Sequence, residues 1–428
     1  YRLRARRSAV SNRARLPRIT GQHAAHSIGE RGMNIGPLWR ALLRYKAGFV
    51  LIALQMAVTL TIMVNAFGII AERSGKLDRP SGLDEPNTFA FASVLFNEYE
   101  REQRKALIDE DLDLIRNMPG VVNAIASNSF PLRQGGWSTA LALEPGNQTP
   151  ESVGSAIYFV DEHGAETFDV TFIDGQNFTP EQVAWSVEDD NTWPAYGVIT
   201  EALGKEMWPD EEGSYVGKTL FVNDNDPVQV VGVIDTLQAP WESWTGVERS
   251  MLVPQKRPSS FVRYIVRTEP GMRDTLMPEV EAMLAASNKD RIIRDMTTMD
   301  EVRKLAYVGD AALIKILGFI VLLLTIITAL GIIGLASFNV SRRTRQIGIR
   351  RALGATKPSI VRYFLVENSI ISAIGLAVGS ALAIGLNVVM VEAFSLEPLA
   401  WYVIPTGVIL LWAVGQLAVA GPARRASN

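Results

Sequence analysis

Uncharged runs stand out in the pattern of polar and apolar positions. Four segments, Gly48–Ala71, Ile316–Phe338, Ile370–Val391 and Trp401–Gly421, contain no Lys, Arg, Asp or Glu. Each is about 20 residues long, the length a helix rising ~1.5 Å per residue needs to cross ~30 Å of hydrocarbon. A single such run would also fit a buried core helix. Four in one chain predict transmembrane helices, set at 48–71, 312–338, 366–391 and 400–421. Between the first two spans the pattern changes. Glu72–Pro86 reads as an exit linker, and Phe91–Met118 as a helix with Ile108, Leu112 and Ile115 at i, i+4, i+7, ended by Pro119-Gly120. Val121–Ser127 and Trp137–Leu143 read as strands.

Further along, Ile157–Val160, Thr167–Ile173, Tyr196–Thr200, Thr219–Val222 and Gln229–Val233 are short β-rich runs, with a brief helix at Glu201–Trp208. Met251–Pro254 and Phe261–Arg267 read as strands. Thr275–Ser287 is a helix with Leu276, Val280 and Leu284 in register, where Pro278 is tolerable in the first turn. The expected fold class is an α-helical membrane protein with four spans and a large α+β extracytoplasmic domain at 72–311. A helix-plus-strand before the middle pairs with a strand-plus-helix after it, and a β-rich part is inserted at about 155–255. Asp300–Lys315 is expected to run into the second span as one continuous stalk helix.

Charge sets the orientation. Between Glu72 and Asp310 lie 41 of the 45 acidic residues and 21 of the 42 basic ones, a net of −20 there against +17 elsewhere. Short loops rich in Lys and Arg stay in the cytoplasm, whereas long domains translocate largely regardless of charge. Arg40, Arg44 and Lys46 precede the first span, and Arg342, Arg343, Arg345, Arg350, Arg351, Lys357 and Arg362 join the second to the third. Both termini are therefore expected in the cytoplasm and 72–311 outside. The chain has no cysteine, which fits a bacterial periplasm. Residues 1–32, with eight Arg and one Glu, read as a disordered basic tail that need not be native, Met33 being a natural start. Residues 33–47 read as an interfacial amphipathic helix, in which Leu38, Leu42 and Tyr45 share a face.

Candidate chemistry is sparse. Gly213–Thr219 looks like a phosphate-binding loop but has three residues between its glycines where four are needed, and it leads into a strand. His23, His26 and His163 have no metal-ligand spacing. The acidic clusters Glu188–Asp190 and Asp210–Glu212 read as solvated loops, with weak calcium binding as the alternative. No enzyme, cofactor or metal site is expected in this chain. In the spans, Gln55, Thr59 and Asn65, and the small residues Gly375, Gly379 and Ala383, suit either interhelical packing or a gate. The basic loop carries Ile347, Ile349 and Leu353 among its arginines on one short amphipathic element, which would lie flat at the membrane surface. Gly354 ends it, and Pro358 starts the next helix. It reads either as a docking knob for a partner or as a merely basic loop.

The run Arg343–Ala355 resembles the R-T-R-E-I-G-I-R-x-A-x-G-A motif of the FtsX/MacB family of ABC permeases. Ile360–Glu367 is similar to the start of that family's third span, and Pro422–Ala426 resembles its closing P-A-R-x-A. Phe168–Thr179 and Val230–Ile234 are similar to the MacB-like periplasmic core. The resemblance covers nearly all of Met33–Asn428. It implies a permease in the bacterial inner membrane, acting as a dimer with an identical or homologous second permease. Two copies of a separate ABC ATPase would hold ATP and magnesium. Arg345, Gln346, Ile347, Gly348, Arg350, Arg351, Leu353 and Gly354 would form the coupling element that docks on the ATPase. The external domain would have a porter-like part and the inserted part, and would move with ATP turnover to drive export or extrusion.

A periplasmic adaptor or hydrolase and membrane lipid are the other implied partners, and nucleic acid is not one. The alternatives are an FtsX-like regulator of a cell-wall hydrolase, a lipoprotein-extraction permease and, from another class, a non-ABC membrane receptor. Gln346 stands where the family usually has Glu, which favours an unequal permease pair, and the chain stops short of the family's usual tail.

Overall fold

The computed structural model describes residues 46–146, 152–187, 193–223, 225–394 and 398–427. The basic tail with His23 and His26, the acidic cluster at 188–190, and all but the last two residues of the expected interfacial helix lie outside them. The chain divides into two compact units, one built from residues up to Asn65 and from Leu322 onward, the other from Ala66–Val321. Among the described residues, four helices are long and apolar enough to cross a membrane.

The first, α1 (Lys46–Leu77), outlasts its expected end by six residues. Glu72 and Lys76 form an i,i+4 pair at 2.7 Å that supports the extra turn where a linker was expected. The first half of the domain follows as β1 (Thr88–Leu95), α2 (Arg101–Arg116) and β2 (Val121–Ser127). The expected helix at 91–118 is thus a strand and a shorter helix. Every second side chain of β1 faces a different core, so both faces are buried and alternation is invisible. Glu100 and Gln103 form a capping box that starts α2, with the Glu100 N–H donating to Gln103 Oε1 at 2.9 Å.

The insertion comprises β3 (Trp137–Leu141), β4 (Val153–Val160), α3 (Gly164–Phe168), β5 (Phe172–Gly175), β6 (Ala184–Trp185), β7 (Tyr196–Thr200), α4 (Glu201–Met207), β8 (Thr219–Val222), β9 (Asp226–Ile234) and β10 (Ser250–Lys256). It begins at Trp137 rather than near 155. The expected strand at 167–173 is split, because Asp169 turns left-handed at φ 59° and caps α3. The second half of the domain is β11 (Phe261–Thr268), α5 (Arg273–Ser287) and β12 (Arg291–Thr298). Helix α5 starts two residues early, so Pro278 sits inside it on the exposed side rather than in its first turn.

The two βαβ halves interleave in one antiparallel sheet of order β12-β1-β11-β2. Phe89 and Phe91 point to a core with Leu112, Tyr264, Val280 and Leu284, under α2 and α5. Ala90, Ile125 and Ile265 point the other way, to a core shared with Tyr158, Phe168 and Leu252 of the insertion. The insertion is an eight-stranded mixed sheet, β3-β4-β10-β7-β9-β5, with β6 on β10 and β8 on β9. Its far face packs Leu203 and Met207 of α4 on Ile199, Val228 and Val253.

Helix α6 (Met299–Ala306) is started by a capping box between Thr298 and Glu301 and is separated from α7 (Val308–Arg342) by Tyr307. The expected continuous stalk is therefore interrupted, with Tyr307 buried in the second core. Arg303 of α6 holds Glu85 through Nε at 2.7 Å and Nη2 at 2.6 Å, and donates to the Leu77 and Arg79 carbonyls at 3.0 Å. Arg73 and Asp310 pair at 2.9 Å. The segment leaving α1 and the segment entering α7 are thus tied to one another.

The remaining elements are α8 (Thr344–Ala352), α9 (Lys357–Phe394) and α10 (Val403–Ser427). Helix α10 runs through Pro422 where a tail was expected to begin at that residue. Met56, Leu60, Met63 and Val64 make α1 the inner helix of its unit, while Leu322, Ile326 and Leu330 of α7 are exposed, as lipid-facing residues are.

Candidate functional site

The basic loop folds into a helix held by its neighbours. Arg343 follows the last residue of α7 with φ −103°, and its Nη1 reaches both carboxylate oxygens of Glu367 at 3.0 and 2.9 Å. Both side chains are nearly buried, so this charge-assisted pair fixes the turn between α7 and α8 onto α9. Glu367 lies in the stretch expected to begin the third span, but no partner was expected for it. The signal available was that it is one of four acids outside 72–310.

Helix α8 ends in a Schellman motif. Gly354 adopts φ +96°, its N–H donates to Arg351 O at 3.0 Å, and the Ala355 N–H donates to Arg350 O at 3.0 Å. A left-handed residue there favours glycine because it has no Cβ to clash.

The expected coupling residues divide between two faces. Ile347 is buried, and with Arg343, Gln346, Arg350, Ile360, Tyr363 and Phe364 it lines a cleft of about 30 Å³. The Arg350 guanidinium lies 4.8 Å from the Tyr363 ring centroid. Arg345, Gly348, Ile349 and Ala352 follow helical spacing on the exposed face, continued by Leu353. Ile349 is 54% exposed and Leu353 83%. A Cβ on Gly348 would meet nothing within 4 Å, so the backbone there is open to a partner. Arg351 is exposed on the same element. The three apolar residues do not form one flat stripe: Ile347 anchors the helix and the other two project. Helix α10 packs against α8, with Ala423 fully buried, which brings the closing P-A-R segment to the same place.

The polar and small residues of the spans meet as packing contacts. Gln55 Nε2 donates to Ile327 O at 3.1 Å, and the Thr59 and Thr328 hydroxyls lie 2.8 Å apart. Asn65 Nδ2 donates to Thr61 O at 2.9 Å and to Ala383 O at 3.4 Å. A Cβ on Gly375 would stand 2.6 Å from Ala53 O, and one on Gly379 2.8 Å from Ala57 O. Gly375, Gly379 and Ala383 are therefore the seam along which α9 approaches α1.

The segment resembling a phosphate loop leads into β8, and Lys218 bonds Glu211 and lies over the Trp208 ring at 5.5 Å. His163 Nδ1 meets Asn123 Nδ2 at 3.0 Å. Asp210–Glu212 is exposed.

The family model for the MacB-like periplasmic core domain matches residues 50–284, and that for the FtsX-like permease C-terminal matches residues 318–428. An uncharacterized ABC transporter permease, YknZ of Bacillus subtilis, is 24% identical over 245 residues, 54% of this chain and 59% of that one. The macrolide export ATP-binding/permease protein MacB of Azoarcus is 26% identical over 345 residues, 78% of this chain and 48% of that one. The chain thus spans about half to three-fifths of these relatives' length. The periplasmic region of MacB from Actinobacillus actinomycetemcomitans aligns with 54% of this chain and 97% of its own, at 16% identity and a TM-score of 0.33. With one domain model covering more than half of its length and another covering its last helices, the chain belongs to the MacB/FtsX-like family of ABC transporter permeases.

Proposed function

We propose that this chain is the permease subunit of an ABC exporter whose ATP hydrolysis takes place on a separate ATPase, with α8 and Leu353 as the docking element. One observation carries the reading: Ile349 and Leu353 project among arginines from a helix fixed behind by the Arg343–Glu367 pair and stopped at Gly354. An apolar anchor rimmed by positive charge on a rigid element is suited to a groove in a partner, where a few desolvated side chains supply most of the binding energy. ATP and magnesium would be held by two copies of that partner. A second permease, identical or homologous, would complete the membrane part. The orientation this needs has the basic loop and both termini in the cytoplasm.

Force would reach the external domain through both chain crossings, which Arg303 and the Arg73–Asp310 pair tie together. The driven step is export or extrusion of a substrate from the periplasmic side.

The test is affinity purification of the full chain from native membranes in mild detergent, comparing the parent with Leu353→Asp. Leu353 is 83% exposed, so the substitution leaves the chain's own packing intact. A Walker-containing ATPase is expected with the parent, and about tenfold less with the variant, as for loss of one anchor residue. Absence of an ATPase from both would defeat the reading, and equal recovery would remove α8 from the interface. An adaptor among the recovered proteins supports export, whereas a cell-wall hydrolase supports regulation without transport.

A further inference from the structure

A cavity of about 330 Å³ opens beside the four-stranded sheet of the external domain. Where β1 carries Phe89 and Phe91 on one face, it carries Ala90 and Ala92 on the other, and the small side chains leave the space. Phe130 closes one side, and Val302 and Leu305 of α6 close another. The charged lining consists of Arg133, Arg263 and Asp295.

The backbone around this cavity is unusual. Five non-glycine residues among those described have positive φ, and three of them line it: Leu132 at 66°, Gln134 at 65° and Asp295 at 56°. Left-handed backbone is unfavourable for a side chain such as leucine and persists where surrounding contacts impose it. Here the Leu132 and Gln134 N–H groups donate to Ala239 O and Pro240 O at 3.4 and 2.9 Å, and the Gln134 side chain bonds Glu242. Asp295 sits in a bulge of β12 opposite Ala90 and Ala92, a device that re-aims side chains. The segment bearing Arg133 and the one bearing Asp295 are both held toward the same space.

The charges do not balance. Arg263 Nη1 donates to Asn128 O at 2.8 Å and Arg133 Nη1 to Gly135 O at 3.3 Å, and among the described residues neither guanidinium forms an ion pair. Asp295 pairs with Arg294 at 3.2 Å in an exposed contact, and its charge also acts on both Arg133 and Arg263. Burial, and then the charge of Arg133, lowers Arg263 to about 10 against the opposing charge of Asp295. Arg263 also lies over the Phe261 ring at 5.1 Å, but two half-buried cations share a single carboxylate in this lining, an excess of positive charge that an anion would relieve.

We infer that this cavity binds a small amphiphilic anion, with an aromatic or short acyl body against Ala92, Phe130 and Leu305 and one carboxylate, sulfonate or phosphate at Arg133 and Arg263. The volume lies at the lower end of the ~300–1,000 Å³ of ligand pockets, which suits a single such group rather than a folded peptide. The inference is independent of an ATPase partner.

The experiment is equilibrium dialysis of the full chain in phosphatidylcholine nanodiscs against 2-naphthalenesulfonate and, separately, 2-naphthylmethylammonium, with empty discs as background. Saturable binding of the sulfonate alone is expected. Arg263→Gln should weaken it about tenfold, the loss of one charge-assisted hydrogen bond, and Leu305→Glu, at a side chain 71% exposed, should also weaken it. Asp295→Asn keeps a residue that tolerates left-handed backbone and should tighten it. Displacement by phosphatidylglycerol in the disc would assign the natural ligand to lipid, and no displacement to a free amphiphile. Equal binding of the two probes, no saturable binding, or parent-like affinity in both Arg263→Gln and Asp295→Asn would overturn the inference.

Discussion

Among single residues, Asp111 has the most demanding position. It lies one turn from both Ile108 and Ile115 on the buried face of α2, and its side chain is 4% exposed. One of its oxygens accepts from Arg291 Nη1 at 2.6 Å and from the Tyr264 hydroxyl at 2.6 Å. The three residues come from α2, β12 and β11, so one carboxylate joins a helix to two strands of the sheet. Burial, and next the charge of Asp111, push the Tyr264 phenol well above its ordinary range, which keeps it a donor. Truncating one partner of such a pair strands the other charge in the core, at about 3–5 kcal/mol. Arg291→Met should therefore destabilise the external domain by roughly that amount, while Asp111→Leu combined with Arg291→Met should recover much of the loss. Proteolysis of the full chain across a urea series measures both; an unchanged midpoint for the single variant would show that the pair contributes nothing.

Helix α9 meets α1 at glycines, and the same helix contains its own control. Gly375 and Gly379 leave no room for a Cβ against the carbonyls of Ala53 and Ala57, whereas a Cβ on Gly385 meets nothing within 4 Å. Gly379→Leu should lower the melting temperature of the purified chain and broaden the transition. Gly385→Ala should leave it unchanged or raise it slightly, since alanine favours the helix by up to ~1 kcal/mol. The reverse order would place the seam elsewhere. These glycines were legible as a small-residue stripe because spacing by four is a local signal, as were the spans, whose length follows from bilayer thickness.

The strands β1 and β12 were not legible. β1 is buried on both faces and shows no alternation, so the helical period of Ile108, Leu112 and Ile115 was extended backward over it. β12 mixes charges with a bulge at Asp295, where the period of two breaks. In the candidate site, composition placed Ile347 beside Ile349 and Leu353. Only tertiary packing, through Glu367 and Phe364, decides that Ile347 turns inward.

For the whole molecule the decisive quantity is the separation of charge, −20 between Glu72 and Asp310 against +17 in the rest. A folded domain gains nothing from such sorting, and its self-repulsion is mildly unfavourable. The proposed orientation would account for it, with basic residues in short loops retained on the cytoplasmic side and the long acidic domain carried across. The absence of cysteine allows this orientation to be tested one residue at a time. Asp210→Cys, on the exposed acidic loop, should react with a membrane-impermeant maleimide in intact spheroplasts, and so should Glu392→Cys. Leu353→Cys, at 83% exposure, should react only after the membrane is opened. Labelling of Leu353→Cys from outside would put the basic helix on the side away from any cytoplasmic ATPase. The docking role would then fall even if an ATPase still co-purified, because that ATPase would have to bind through some other surface.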